Sequence, residues 1–305
     1  MARKLRVEYA DAIYHLMNRG DRREPIFKDD ADRQHFLETL GEACSKTDWQ
    51  VHAWCLMGNH FHLVVETPQA NLVAGMKWFL GTYTSRFNRR HKLFGHLFSG
   101  RYKALIVDGS GSGYLRTVCD YVHLNPVRAK LIGPEPLRSY RWSSYPEYLK
   151  RRGRRPAWLR VDRLFGEMGI PRDSAAGRDQ FEQMMEERRR RDEPGQWKPL
   201  RRGWCLGEAQ FRAELLAQMS GKMGAHHGGS ERAETAEAKA EHILAEEMRR
   251  LGWGSAELKH RRKGDVKKIR VAQRLRRETT MTWSWIAEHL QMGAPGYAAN
   301  CLRNA

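Results

Sequence analysis

Cysteine is scarce in this chain, with five residues among 305: Cys44, Cys55, Cys119, Cys205 and Cys301. The number is odd, the spacing is irregular, and no two form a C-x-x-C pair. That argues against a disulfide framework or a cysteine zinc site, and for a reducing compartment. Acidic residues are in deficit, 36 Asp+Glu against 54 Lys+Arg, which leaves a formal net charge of +18. Such an excess points to a polyanionic partner. No apolar run approaches membrane-spanning length, and the N-terminus lacks the apolar core of a secretory leader, so a cytoplasmic location is expected. The glycine-rich stretch Gly109-Ser110-Gly111-Ser112-Gly113 is not followed by the Lys-Ser or Lys-Thr pair of a phosphate-binding loop and reads as a flexible joint.

A hydrophobic fraction of 41% can build a core in at least one domain. The charge is uneven. Residues 1–149 carry 21 Lys+Arg against 15 Asp+Glu, a balance of +6, which leaves +12 for the remainder. The composition divides the chain into residues 1–150, a basic linker with short helices over 151–230, and a helical region over 231–305.

Within the first part, Ile13–Gly20 reads as a strand entering a polar turn. Asp29 or Asp30 can cap a helix carrying Phe36, Leu37, Leu40 and Cys44 at helical spacing. Two apolar runs, Val51–Met57 and Phe61–Val65, flank Gly58-Asn59 and read as a hairpin. Asn71 caps a longer helix, and Arg101–Val107 alternates as a fourth strand. The order β-α-β-β-α-β is that of a ferredoxin-like split βαβ fold, an α+β antiparallel sheet with two covering helices. In that topology strands one and three are central, and the face away from the helices is open.

His60 and His62 lie two apart on the third strand, so both imidazoles share a face. The spacing admits two readings: a metal half-site, or a chance pair among thirteen histidines. Further on, Tyr114–Asn125 reads as a helix with Leu115, Val118 and Val122 as its packing stripe. Tyr121 and Asn125, four apart, share an adjacent face, and Pro126 puts Asn125 at the helix end. Each also has an ordinary structural role: a tyrosine packs its ring, and an asparagine closes a helix.

Beyond Leu149, basic runs at Arg151–Arg155 and Arg188–Arg191 accompany short helical patterns around 158–168, 178–191 and 207–219. His226-His227 reads as linker. After a charged helix over Glu231–Leu251 come three short helical patterns, Asp265–Glu278, Thr282–Leu290 and Pro295–Arg303. With the surrounding lysines and arginines they read as a helix-turn-helix-like DNA-binding module, or as a three-helix interaction module with no DNA role.

Several stretches follow one another in a fixed order. They are Tyr14-His15 through Asn18-Arg19-Gly20, Ile26-Phe27, Cys55-Leu56-Met57 and Asn59-His60-Phe61-His62. Then follow Arg86-Phe87-Asn88, Phe98–Lys103 and Tyr121–Ala129. This set, over about residues 6–150, resembles the single-tyrosine HUH nucleases and transposases, and among them the REP-associated tyrosine transposases. The resemblance implies that His60, His62 and Asn125 hold Mg²⁺ or Mn²⁺. It implies that the Tyr121 hydroxyl attacks a scissile phosphate, leaving a 5′-phosphotyrosine and a free 3′-hydroxyl. The implied substrate is hairpin-bearing, REP-like single-stranded DNA, with Asn18, Arg19, Arg101 and Lys103 as candidate contacts. Duplex DNA is a further candidate partner of the C-terminal region, and the protein is expected to be a monomer or a homodimer. Two positions depart from the family pattern: Gly58 stands where proline is common, and Asn125 where insertion-sequence transposases carry glutamine. The competing reading is a non-cleaving hairpin-binding or regulatory protein.

Overall fold

The computed structural model describes residues 7–192, 197, 200, 203–220, 230–279 and 281–303. The described chain forms two units, one within Arg6–Glu214 and one within Leu215–Ala305. In the first, β1 (Ala12–Arg19), α1 (Asp30–Thr47), β2 (Gln50–Leu56), β3 (His60–Thr67), α2 (Leu72–His91) and β4 (Lys103–Val107) follow the expected order. The sheet runs β2-β3-β1-β4, all antiparallel, with β1 and β3 at its centre. A fifth strand, β5 (Cys205–Leu206), adds to the β4 edge in parallel.

Asp29 caps α1, its carboxylate accepting from the Asp32 N–H at 3.0 Å. Asn71 precedes α2 but does not cap it. Its side chain accepts from Trp49 Nε1 at 2.7 Å and donates to the Thr47 carbonyl at 2.9 Å, tying the two helices' loops together. α1 and α2 pack on one another over one sheet face, where Phe36 sits 5.0 Å from Phe61, 4.9 Å from Phe79 and 5.0 Å from Tyr83 between ring centroids.

The opposite face is not open. α3 (Tyr114–His123) lies across β2, β3 and β4, so nearly every residue of β1 and β3 is buried whichever way it points. α4 (Asn125–Arg128), α5 (Tyr145–Tyr148), α6 (Asp162–Glu167) and α7 (Ala175–Arg190) extend this second layer. Its core is aromatic: Phe181 stacks on Tyr148 at 5.0 Å and lies 5.5 Å from Phe165, while His123 meets Tyr148 at 5.2 Å.

The expected boundary at residue 150 therefore falls inside the first unit. α7 shows why composition misleads here. Of its sixteen residues only Gly177, Phe181 and Met185 are buried, a narrow stripe on a helix dominated by charge. The Gly109–Gly113 segment, read as a free joint, is held at its start. Arg163 donates to the Gly109 carbonyl at 2.7 Å and also pairs with Glu66 at 2.7 Å, and the Asp108 carboxylate accepts from the Ser110 N–H. After α8 (Ala209–Ser220), the second unit holds α9 (Ser230–Leu251), α10 (Ser255–His260), α11 (Val266–Glu278), α12 (Trp283–His289) and α13 (Pro295–Arg303). Its own core includes Ile243, Val271, Leu275, Ile286, Leu290 and Ala298. His226-His227 lies outside the described residues. Among the described residues, no helix is long and apolar enough to cross a membrane.

Candidate active site

The β2–β3 turn is built by Gly58 and Asn59, with the Met57 N–H donating to the His60 carbonyl at 2.8 Å. It is braced from the side: Gly20 N–H donates to Asn59 O, Ile26 N–H to Gly58 O, and the Asn59 amide to Arg23 O at 3.0 Å. A Cβ at Gly58 would meet nothing within 4 Å, so the turn does not depend on glycine there. The brace makes β3 start at a fixed place, and the pleat then sends His60 and His62 to the α3 side. Their rings lie edge to face, 5.2 Å between centroids, with His62 buried and His60 half-buried at the rim.

A third imidazole joins them. His15 of β1 is buried, and its Nε2 lies 3.0 Å from Nδ1 of His62. From α3, the Tyr121 ring packs edge-on against both, 5.5 Å from His15 and 5.5 Å from His62. The Arg128 guanidinium of α4 lies 4.3 Å from the centre of the Tyr121 ring and 4.7 Å from Trp197, and it donates to the Tyr121 carbonyl. Beneath this cover Tyr121 is 5% exposed.

The electrostatics keep the imidazoles neutral. Burial lowers His15 to about 4, and burial with the nearby Arg19 charge lowers His60 to about 4. His62 falls well below its ordinary value through burial and then the neighbouring His15, His60, Arg128 and Arg19. At neutral pH all three offer lone pairs rather than charge. Asp120, next to the tyrosine, is fully buried. Burial raises it to about 6, against the opposing pull of Arg188 at 2.7 Å and Arg116 at 3.9 Å.

The structure thus brings His60, His62 and Tyr121 together. Asn125 opens α4 one turn beyond Tyr121, is 8% exposed, and makes no side-chain hydrogen bond among the described residues to either imidazole. Arg19 is exposed and stands across from His60, on the same face of the sheet. Lys103, exposed at the start of β4 and paired with Met17, shares that face. Arg101 is exposed in the preceding loop, which is drawn to the end of β1 by the Ser99 N–H bond to Arg19 O and the Gly20–Phe98 bridge. Asn18, also a candidate contact, is placed differently. It points to the α1–α2 face, is 7% exposed, accepts from Arg19 N–H at 2.9 Å and donates to Gly100 O at 3.4 Å, so it ties the loop. Sequence reasoning gave no site role to His15, Arg128 or Trp197. Arg128 had a signal in falling within the Tyr121–Ala129 stretch, though past the expected helix end; His15 needed the strand register.

Among the described residues, no group of three or more His, Cys, Asp or Glu converges on a possible metal position. Two neutral imidazoles with one amide oxygen nonetheless suit an octahedral divalent ion that keeps water and phosphate in its shell, rather than a closed cage.

The fold is thus an α+β split βαβ sheet on which two imidazoles and a tyrosine ring pack together. Residues 8–125 match the family described as Transposase IS200 like. Two solved structures are similar in part. One is a REP-associated tyrosine transposase bound to a REP hairpin, 13% identical with a TM-score of 0.42, the match covering 50% of this chain and 87% of that one. The other is a protein from Deinococcus radiodurans R1 assigned as a transposase, 20% identical with a TM-score of 0.28, covering 39% and 95%. No curated protein matches the chain.

Proposed function

We propose that this chain nicks and rejoins hairpin-bearing, REP-like single-stranded DNA through a tyrosine nucleophile, in a divalent-metal-dependent reaction. The observation that carries the reading is the packing of Tyr121 against His62, with His60 on the same face. His60, His62 and Asn125 would hold Mg²⁺ or Mn²⁺, which when bound supplies positive charge to the scissile phosphate. The Tyr121 oxygen attacks phosphorus, forming a Tyr–O–P bond and releasing a DNA 3′-hydroxyl. The reverse attack by a 3′-hydroxyl rejoins strands, because the phosphotyrosine keeps the bond energy. The Arg128 guanidinium against the ring favours negative charge developing on the phenol. Arg19, Arg101 and Lys103 offer phosphate contacts at the rim. Because Arg128 and Trp197 cover Tyr121, DNA must open that cover to reach it.

The test is to incubate the protein with hairpin-bearing single strands and Mn²⁺, then denature it. A covalent protein–DNA adduct is expected from the wild type and not from Tyr121→Phe. An adduct formed by Tyr121→Phe would refute the assignment.

A second reading, in which the chain grips hairpin DNA or RNA without cleaving, is favoured by the burial of Tyr121. Affinity indifferent to divalent metal, with no adduct on any hairpin, would select it.

The second unit is proposed to dock on duplex DNA. Lys268 is buried and donates to the carbonyls of Leu258, Arg261 and Gln291 at 2.7, 3.3 and 3.2 Å. This fixes the basic stretch Lys259–Lys263 beside the turn before α13, whose exposed residues include Tyr297 and Asn300. α13 is the element that would enter a groove, with Arg262 and Lys263 meeting phosphates.

A further inference from the structure

The two imidazoles of the His60–His62 pair are each held by a different partner, and in both cases the held nitrogen is Nδ1. For His60 the partner is the Asn59 side-chain oxygen at 2.8 Å. The orientation of that amide follows from its other end. Asn59 Nδ2 faces the carbonyl oxygen of Arg23 at 3.0 Å, and a carbonyl only accepts, so the NH₂ must lie there and the oxygen must face His60. An amide oxygen also only accepts, so the neutral His60 ring must carry its hydrogen on Nδ1. Its Nε2 is then a bare lone pair.

For His62 the partner is His15 Nε2 at 3.0 Å. Between two neutral imidazoles the contact holds one proton, on one ring or the other. Arg19 stands across from His60 and one pair along from His62 on the same sheet face, but four residues along β1 from His15, so its charge bears first on His62. With Nδ1 taken up by His15, the free edge of His62 lies in a positive field, which favours a bare nitrogen over an N–H. The proton then belongs on His62 Nδ1, donated to His15.

We infer that Asn59 and His15 are positioning residues that fix His60 and His62 with the proton on Nδ1 and the lone pair on Nε2. This rests on the metal-site reading above and deepens it. A free neutral imidazole exchanges between tautomers, and only the Nδ1–H form lends Nε2 to a metal. Partners held by the fold remove that choice before any metal arrives. Each is tied to a different part of the chain. Asn59 reaches the Arg23 loop, and His15 is part of the neighbouring strand, so ligand orientation is built into the braced hairpin and the β1–β3 register.

The test uses the full-length, metal-free protein labelled with ¹⁵N-histidine. Long-range ¹H–¹⁵N correlation spectra report which ring nitrogen carries hydrogen. Both His60 and His62 are expected as Nδ1–H tautomers. His15→Phe should shift His62 toward Nε2–H, and Asn59→Leu should do the same to His60. Mn²⁺ titrations followed by electron paramagnetic resonance should show each variant binding about 10–100-fold more weakly. His15→Gln, whose amide oxygen can accept from Nδ1, should recover most of that affinity, and it serves as the second variant if His15→Phe does not fold. An Nε2–H form of His62 or His60 in the wild type overturns the inference whatever the metal does. So does unchanged Mn²⁺ affinity in a folded His15→Phe. Nδ1–H tautomers in a wild type that binds no Mn²⁺, with or without hairpin DNA, would sink the metal reading and leave the tautomer assignment standing.

Discussion

Asparagine in place of Asp120 should change how stability depends on pH. The folded carboxyl is raised from 3.8 to about 6, chiefly because burial penalises its charged form, with Arg188 and Arg116 only partly compensating. A raised carboxyl binds its proton more tightly in the folded than in the unfolded chain. Stability from this group is therefore greatest below pH 4, falls as pH rises from 4 to 6, and is flat above. Raising a carboxyl by about two pH units corresponds to about 3 kcal/mol. The whole protein will not show this directly. His15, lowered to about 4, binds fewer protons when folded, so it contributes stability that grows over the same range and beyond, to 6.5. The difference between wild type and Asp120→Asn isolates the carboxyl. Urea denaturation at half-unit steps from pH 4 to 8 should show that difference moving against the wild type by about 3 kcal/mol between pH 4 and 6.5, then holding steady. Parallel curves across the whole range would mean Asp120 stays ionised in the fold, and the burial argument would be wrong.

Other substitutions probe packing and the site. Gly75→Ala should cost about 1–3 kcal/mol in chemical denaturation, because its Cβ would fall 2.2 Å from Trp49, a ring already held by Asn71. Gly58→Ala should be neutral or stabilise by up to about 1 kcal/mol while leaving adduct yield unchanged, since nothing crowds that position. Tyr121→Phe should keep stability within about 1 kcal/mol, because the ring and its contacts remain, while adduct formation falls by on the order of 10⁴-fold or more. For duplex DNA, Lys263→Glu should weaken binding similarly across sequences and lower the slope of log affinity against log salt by about 1, read by fluorescence anisotropy.

The sequence alone determined the order of elements in residues 12–107, because strands and helices there advertise period 2 and period 3.6 and are punctuated by Asp29, Gly58-Asn59 and Asn71. It also put His60 and His62 on one face, since alternation along a strand is local geometry. Membership of the second layer was not legible. Phe165, Phe181 and Met185 sit among charges, and they count as core only once α3 and α5 supply the aromatic surface they pack against. The burial of the histidine face is a consequence of the same layer. Asn71 was rightly placed before α2, but its side chain answers to Trp49 and Thr47 from a distant part of the chain instead of to its own helix. The register of β1 against β3 was equally hidden, and it decided the most for the site. It puts His15 within hydrogen-bonding reach of His62 and sends Asn18, a candidate surface contact, to the opposite face. Local spacing fixes which way a side chain points along its own strand. Which neighbour it meets is set by pairing between segments some fifty residues apart, and only the folded sheet specifies that.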